Sequence, residues 1–161
     1  MSGELVHATS LVVGTTGILI VGASGSGKSA LALRLIEGAA LRGRFARLVS
    51  DDQTRLTRIH GRLIASGAPV IHGLIESRGA GLLQIEALDE AVMDIALEPV
   101  MVSAENRIPA ENRRWTSPGG LSLPLFSLDR AISDPFAVLM RLIGTTAPTR
   151  DATSARDCLK S

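Results

Sequence analysis

Gly22-Ala23-Ser24-Gly25-Ser26-Gly27-Lys28-Ser29 carries the strongest chemical signal in the chain. It fits the pattern G-x-x-x-x-G-K-[ST], which works when it follows a strand and opens a helix. The glycines let backbone N–H groups turn inward around a phosphate. The helix start adds unpaired donors and the positive end of a dipole. Lys28 can reach the outer phosphates, and the Ser29 hydroxyl can ligate Mg²⁺. The pattern implies a nucleoside triphosphate or a similar phosphate ligand. It does not name the group that receives a phosphoryl.

Asp51-Asp52 forms a second constellation. Adjacent carboxylates at a strand end, near a bound triphosphate, suit metal binding or general-base work. Successive side chains on extended backbone point to opposite faces, so the two need not share one task. A solvated turn pair is the plainer reading. Against it, the apolar strand before the pair aims it at the carboxyl edge of the sheet, where the phosphate loop also lies. Glu76 and Arg78 flank Ser77 just before Gly79-Ala80-Gly81. They suit a loop facing Mg²⁺ or phosphate, with an ion-paired strand edge as the alternative. Taken alone, His7 reads as a surface histidine. His60 and His72 each precede a glycine and read as turn residues. Arg107, Arg113 and Arg114 could steer an acidic or phosphorylated partner, although a solvated face is the simpler reading.

These side chains need a scaffold, and the apolar pattern supplies one. Leu5 to Val13 predicts one or two short strands broken around His7, and Gly14 to Gly17 is a turn signal. Gly17 to Val21 (GILIV) is a continuous apolar run, as in a strand covered on both faces. Ser29 to Ala40 predicts a helix with Leu31, Leu35 and Ile36 on one face. Arg44 to Ser50 predicts a strand stopping at Asp51. Gln53 to Ala65 reads as a hairpin turning at His60-Gly61. Strands are expected at Gly81–Ile85, Met93–Leu97 and Leu121–Leu125, with a long irregular loop over Ala104–Gly120. Asp134-Pro135 opens a final helix through Leu142, with Asp134 as N-cap. One strand, loop and helix start followed by many strands predicts a mixed α/β domain, richer in hairpins than a doubly wound fold.

Composition narrows the classes. The chain has 161 residues, with 17 Lys+Arg against 16 Asp+Glu. A formal charge of +1 lacks the basic excess of a nucleic-acid binder. Three Phe, one Trp and no Tyr give no platform for stacked bases. The single cysteine, Cys158, excludes a disulfide framework and a thiolate metal cluster. No apolar run reaches the length of a membrane span, and no secretion signal heads the sequence. The expectation is a cytoplasmic protein with no nucleic-acid or membrane partner. It comprises one P-loop kinase domain over residues 1–144 and a disordered tail over residues 145–161.

Taken together, the motifs resemble the catalytic domain of HPr kinase/phosphorylase, in the short form found in alphaproteobacteria. His7-Ala8-Thr9 precedes GILIVGASGSGKSALALRLI as a histidine precedes the family's Walker loop. LVSDD at Leu48 to Asp52 resembles its paired-aspartate motif. APVIHGLIESRGAGLLQI, from Ala68 to Ile85, resembles its signature segment. The resemblance covers roughly Gly3 to Ile143. It implies an α/β fold with a P-loop-containing mixed sheet, like that of phosphoenolpyruvate carboxykinase and strand-rich after the P-loop helix. It also implies an ATP-dependent protein-serine kinase that uses Mg²⁺ and acts on the small phosphocarrier HPr of the sugar phosphotransferase system. Many members run a reverse phosphorylase reaction and assemble as homo-oligomers.

The resemblance also assigns residues. Gly22 to Ser29 would cradle the β-phosphate, with Lys28 on the phosphates and Ser29 on Mg²⁺. Glu76 would complete the metal site. Asp51 would take the proton of the acceptor serine, with Asp52 supporting the metal. His7 would contact the catalytic aspartate and the phosphate, and Arg78 would be the signature arginine. The chain departs from the family in three places. The Walker loop begins at Gly22, without the usual N-terminal domain before it. Trp115 to Gly120 stands where a PxRPGRN-like segment is expected, and the long C-terminal docking helix is shortened. Two rival readings are a small-molecule kinase of the shikimate or nucleoside monophosphate type and a non-catalytic ATP-binding regulatory module. The first needs a helical lid, and few helices are predicted between Ile85 and Pro135. The second would tolerate replacement of Asp51 but not of Lys28.

Overall fold

The computed structural model describes residues 3–146. Two short strands, β1 (Glu4–Val6) and β2 (Ala8–Val13), break at His7 as the sequence predicts. β3 (Thr16–Val21) leads into the glycine loop, and α1 (Lys28–Leu41) follows it. After β4 (Ala46–Ser50), a hairpin of β5 (Thr54–Ile59) and β6 (Arg62–Ser66) turns at His60-Gly61. Both turn residues have positive φ, 49° and 78°, as a two-residue primed turn requires. Next come β7 (Leu74–Ser77), β8 (Gly81–Gln84), β9 (Glu90–Met93) and β10 (Ile95–Val100). β11 (Arg114–Thr116), β12 (Ser122–Asp129) and α2 (Pro135–Thr146) complete the described chain.

A mixed six-stranded sheet in the order β11-β12-β10-β3-β2-β4 forms the middle layer. β3, β10 and β12 run parallel, while β2 runs antiparallel to both β3 and β4. An antiparallel sheet β1-β5-β6-β9 covers one face, and the two helices cover the other. The apolar run of β3 follows from this sandwiching. Ile18 and Ile20 pack with Leu31, Leu35 and Leu139 on the helical side, while Leu19 and Val21 pack with Leu56, Leu63 and Met93 on the other. All four are nearly inaccessible, so from Ile18 to Val21 no position is left for a polar residue.

The two sheets meet closely at Gly17. A Cβ there would stand 1.7 Å from the Val92 carbonyl oxygen. Gly17 N donates to Asp94 Oδ2, and Asp94 N donates back to Gly17 O, each at 2.8 Å. This junction corrects the single strand expected at Met93–Leu97. The chain switches sheets at Asp94, so Met93 ends β9 and Ile95 begins β10. Four further expectations are corrected. Leu74–Ser77 is a strand, which its Glu and Ser had concealed. β11 interrupts the long loop, and β12 runs on to Asp129 because its parallel pairing with β10 continues to Val100. The final helix extends to Thr146. Its predicted cap is present, with Ala137 N donating to Asp134 Oδ1 at 3.1 Å. From residue 147 onward, the tail expected to be disordered lies outside the described residues.

Candidate active site

β3 delivers the glycine loop to the carboxyl edge of the central sheet. Gly27 closes the loop in the left-handed region, at φ 99°, and stands at the N-cap of α1 without a side-chain cap. A residue with a Cβ is disfavoured at that φ, which gives the motif's last glycine its reason. Lys28 is buried, and its Nζ donates to Gly22 O and Ala23 O at 3.0 Å each. Ser24, Gly25, Gly27, Lys28 and Ser29 line a cleft of about 410 Å³, within the usual size range of ligand pockets. Gly22, Ala23 and Ser26 do not line that cleft. The Ser26 Oγ is buried toward Gly22 and has no hydrogen-bond partner among the described residues.

The two aspartates face different surroundings. Asp51 is only 8% exposed and sits behind the loop. Its Oδ1 accepts from Thr9 Oγ1 at 2.8 Å and from Ser29 Oγ at 2.7 Å, while Oδ2 accepts from Glu76 N at 2.9 Å. One carboxylate thus ties β2, the first turn of α1 and β7 together. Asp52 takes a left-handed φ of 65°, which swings its side chain outward into the cleft. His7 Nε2 lies 3.2 Å from Asp52 Oδ1, and both side chains are about half exposed. The family resemblance implies that His7 contacts Asp51 as the base. The geometry pairs it with Asp52, because the tight turn after β4 sends neighbouring carboxylates in opposite directions.

Glu76 and Arg78 reach the same cleft from β7 and the turn after it. A Cβ on Gly25 would lie 3.0 Å from an Arg78 Nη, so this guanidinium overhangs the loop. Ser29, Asp52 and Glu76, expected to serve a metal, all line the cleft. Among the described residues, no group of three His, Cys, Asp or Glu could hold a metal unaided. A hydroxyl and separated carboxylates instead fit Mg²⁺, which keeps waters and takes much of its coordination from substrate phosphates.

Two residues were missed from sequence. Thr9 carries no chemical signal in the sequence, yet its hydroxyl donates to Asp51. Arg130 lines the cleft from the end of β12. The sequence predicts a strand that stops at Leu125, which leaves Arg130 in a connector. Only the parallel pairing that carries β12 to the carboxyl edge could have exposed it. Of the arginines in the long loop, Arg113 is held by Glu98 Oε1 at 2.6 Å and Ser127 Oγ at 2.7 Å, away from the cleft.

The family model described as HPr Serine kinase C-terminal domain matches residues 2–95. An HPr kinase/phosphorylase of Clostridium tetani is 39% identical over 101 residues, covering 62% of this chain and 31% of the relative. One from Clostridium perfringens is 33% identical over 113 residues, covering 70% and 33%. The chain therefore spans about a third of the length of these curated relatives. Among solved structures, the HPr(Ser) kinase/phosphatase from Coxiella burnetii superposes with a TM-score of 0.69 at 25% identity, over 88% of this chain and 95% of that one. No helix among the described residues is long and apolar enough to cross a membrane.

Proposed function

The chain belongs to the HPr serine kinase C-terminal domain family, and on that premise we propose that it transfers the γ-phosphoryl group of ATP to a serine of the phosphocarrier HPr. The observation that carries this reading is the cleft itself. A phosphate loop, an outward-facing carboxylate backed by a histidine, and a second carboxylate all open onto one space.

The glycine loop and Lys28 bind and orient the phosphate chain. Asp52 receives the proton of the acceptor hydroxyl. As that proton leaves, the serine oxygen bonds to the γ-phosphorus, the bond to the β,γ-bridging oxygen breaks, and ADP departs. His7 holds the Asp52 carboxylate in place for this step. Asp51 is the weaker candidate, because three donors already occupy its oxygens. It organises Ser29 instead. When bound, Mg²⁺ would neutralise charge on the phosphate oxygens, with Ser29, Glu76 and Asp52 as the residues nearest to hold it. Arg78 adds positive charge above the loop. In the reverse reaction, inorganic phosphate attacks phosphoserine, pyrophosphate is released, and protonated Asp52 returns its proton to the serine oxygen. A cytoplasmic location, a domain over residues 1–144 and a homo-oligomeric state belong to the same proposal.

The test incubates the purified chain with ATP, Mg²⁺ and HPr and reads serine phosphorylation by mass. The product is then given inorganic phosphate and assayed for pyrophosphate. The expected outcome is one phosphoryl group on one serine. An unchanged HPr mass under conditions where the chain binds ATP would overturn the assignment of HPr as acceptor.

A further inference from the structure

We infer that Arg130 is a phosphate-contacting residue, gripping the nucleotide on the side of the loop away from the acceptor. The inference rests on reading the loop as a nucleotide site. A Cβ placed on Gly27 would stand 3.4 Å from Arg130 Nε and 3.8 Å from its Cζ. The guanidinium therefore lies over the N-cap of α1, where amide donors already favour an anion. Among the described residues, no carboxylate pairs with it, although Asp129 is its immediate neighbour. Asp129 Oδ1 instead accepts from Ala131 N at 3.0 Å.

The backbone beneath Arg130 is fixed. Arg130 N donates to Val100 O at 2.8 Å, and Ile132 N donates to Asp129 O at 3.1 Å. Arg34 of α1 reaches across to the carbonyls of Ile132 and Ser133, which binds this turn to the phosphate-loop helix. An exposed, unpaired guanidinium on an anchored turn is preorganised for an anion, and planar guanidinium forks suit phosphate.

Position sets which part of the phosphate chain it meets. Arg78, two residues after Glu76, overhangs Gly25 and shares the main cleft with Asp52, Glu76 and Arg130. Arg130 overhangs Gly27 and also lines an adjoining slot of about 250 Å³ with Ala30, Leu31, Pro99 and Leu128. Asp129 is the carboxylate that lines this slot with Arg34, whereas Asp52 and Glu76 line only the main cleft. The phosphates nearest the nucleoside therefore fall to Arg130, and the transferred one to the opposite side.

The experiment measures ATP, ADP and pyrophosphate binding by calorimetry for the parent chain, Arg130→Ala, Arg130→Lys and Lys28→Ala. Arg130→Ala is expected to weaken ATP and ADP by about tenfold, the loss of one good charge-assisted contact. Arg130→Lys should recover part of that loss, which a purely structural role would not. Pyrophosphate, with no nucleoside-side phosphate, should lose less. Parent-like ATP affinity in Arg130→Ala, alongside loss in Lys28→Ala, overturns the inference and leaves the nucleotide site standing. If neither variant loses affinity, or the parent binds no ATP, both readings fall.

Discussion

Ser29 Oγ donates a 2.7 Å hydrogen bond to Asp51 Oδ1, and through it the first turn of α1 is tied to the end of β4. The same oxygen takes a second bond, from Thr9 Oγ1 on β2. Three chain segments thus depend on one buried carboxylate. Hydrogen bonds to a charged group stabilise more than neutral ones, and a buried group left unpaired costs its desolvation. Thr9→Val keeps the shape and removes the donor. It should destabilise the fold by about 2 kcal/mol and also weaken ATP binding, because Ser29 loses its fixed orientation. Urea unfolding and nucleotide titration check both effects. A stable Thr9→Val chain with unchanged ATP affinity would show that the Asp51 cluster does not set the loop.

Asp51 and Asp52 should then separate in kinetics. Asp52→Asn removes the open proton acceptor while leaving the loop untouched. Phosphoryl transfer should fall by about a hundredfold or more, a larger loss than the change in ATP affinity from one fewer carboxylate near Mg²⁺. Asp51→Asn should instead impair both nucleotide binding and stability. His7→Ala should reduce transfer less than Asp52→Asn, since it removes only a support. Single-turnover transfer and equilibrium binding, measured side by side, decide the matter. The opposite ranking, with Asp51→Asn binding ATP normally but unable to transfer, would return the proton to Asp51.

Much of this architecture was legible because its signals are local. The glycine loop, the GILIV strand and the His60-Gly61 turn each follow from short-range chemistry: phosphate-cradling amides, burial on two faces, and positive φ at adjacent residues. The approach of Asp52 to the loop was also foreshadowed, because β3 and β4 end at one sheet edge, while Glu76 and Arg78 were marked by the glycines beside them and come from a separate β7-β8 ribbon. The orientation of Asp51 against Asp52 was not. It depends on a left-handed φ at a non-glycine residue, and no pattern in the sequence specifies that. Arg130 was hidden for a different reason. The length of β12 is set by its pairing with β10, a contact distant in sequence. The switch at Asp94 was concealed because MDIAL reads as apolar whether or not the chain changes sheets.

Gly17 gives a prediction about that switch. Its backbone approaches Val92 so closely that any Cβ must push β3 and β9 apart. Gly17 has no positive φ, so the cost is contact rather than backbone strain. Gly17→Ala should lose about 1–3 kcal/mol, the range for overpacking a rigid core, and thermal denaturation would show it. Gly14→Ala serves as the contrast. It has open space for a Cβ, but its φ of 62° imposes a conformational cost that Gly17→Ala does not. Equal stability of Gly17→Ala and the parent would mean that the two sheets can separate at the junction without loss.

Asp134 supplies the pH prediction. Its carboxyl is held below the usual carboxylate range, chiefly by the Ala137 backbone N–H and further by the Arg42 guanidinium. A group with a lowered folded-state pKa binds its proton more readily when unfolded. Its contribution is therefore present above the ordinary aspartate pKa and is lost as pH falls through the lower folded value. The thermal midpoint of the parent should drop over that acidic interval partly because the N-cap of α2 is being protonated. Asp134→Asn keeps an N-cap acceptor without the titrating charge. Its midpoint should be lower than the parent's at neutral pH, and the gap should close as acid is added. A gap that stays constant from neutral to acidic pH would show that Asp134 acts on α2 through shape and hydrogen bonding alone.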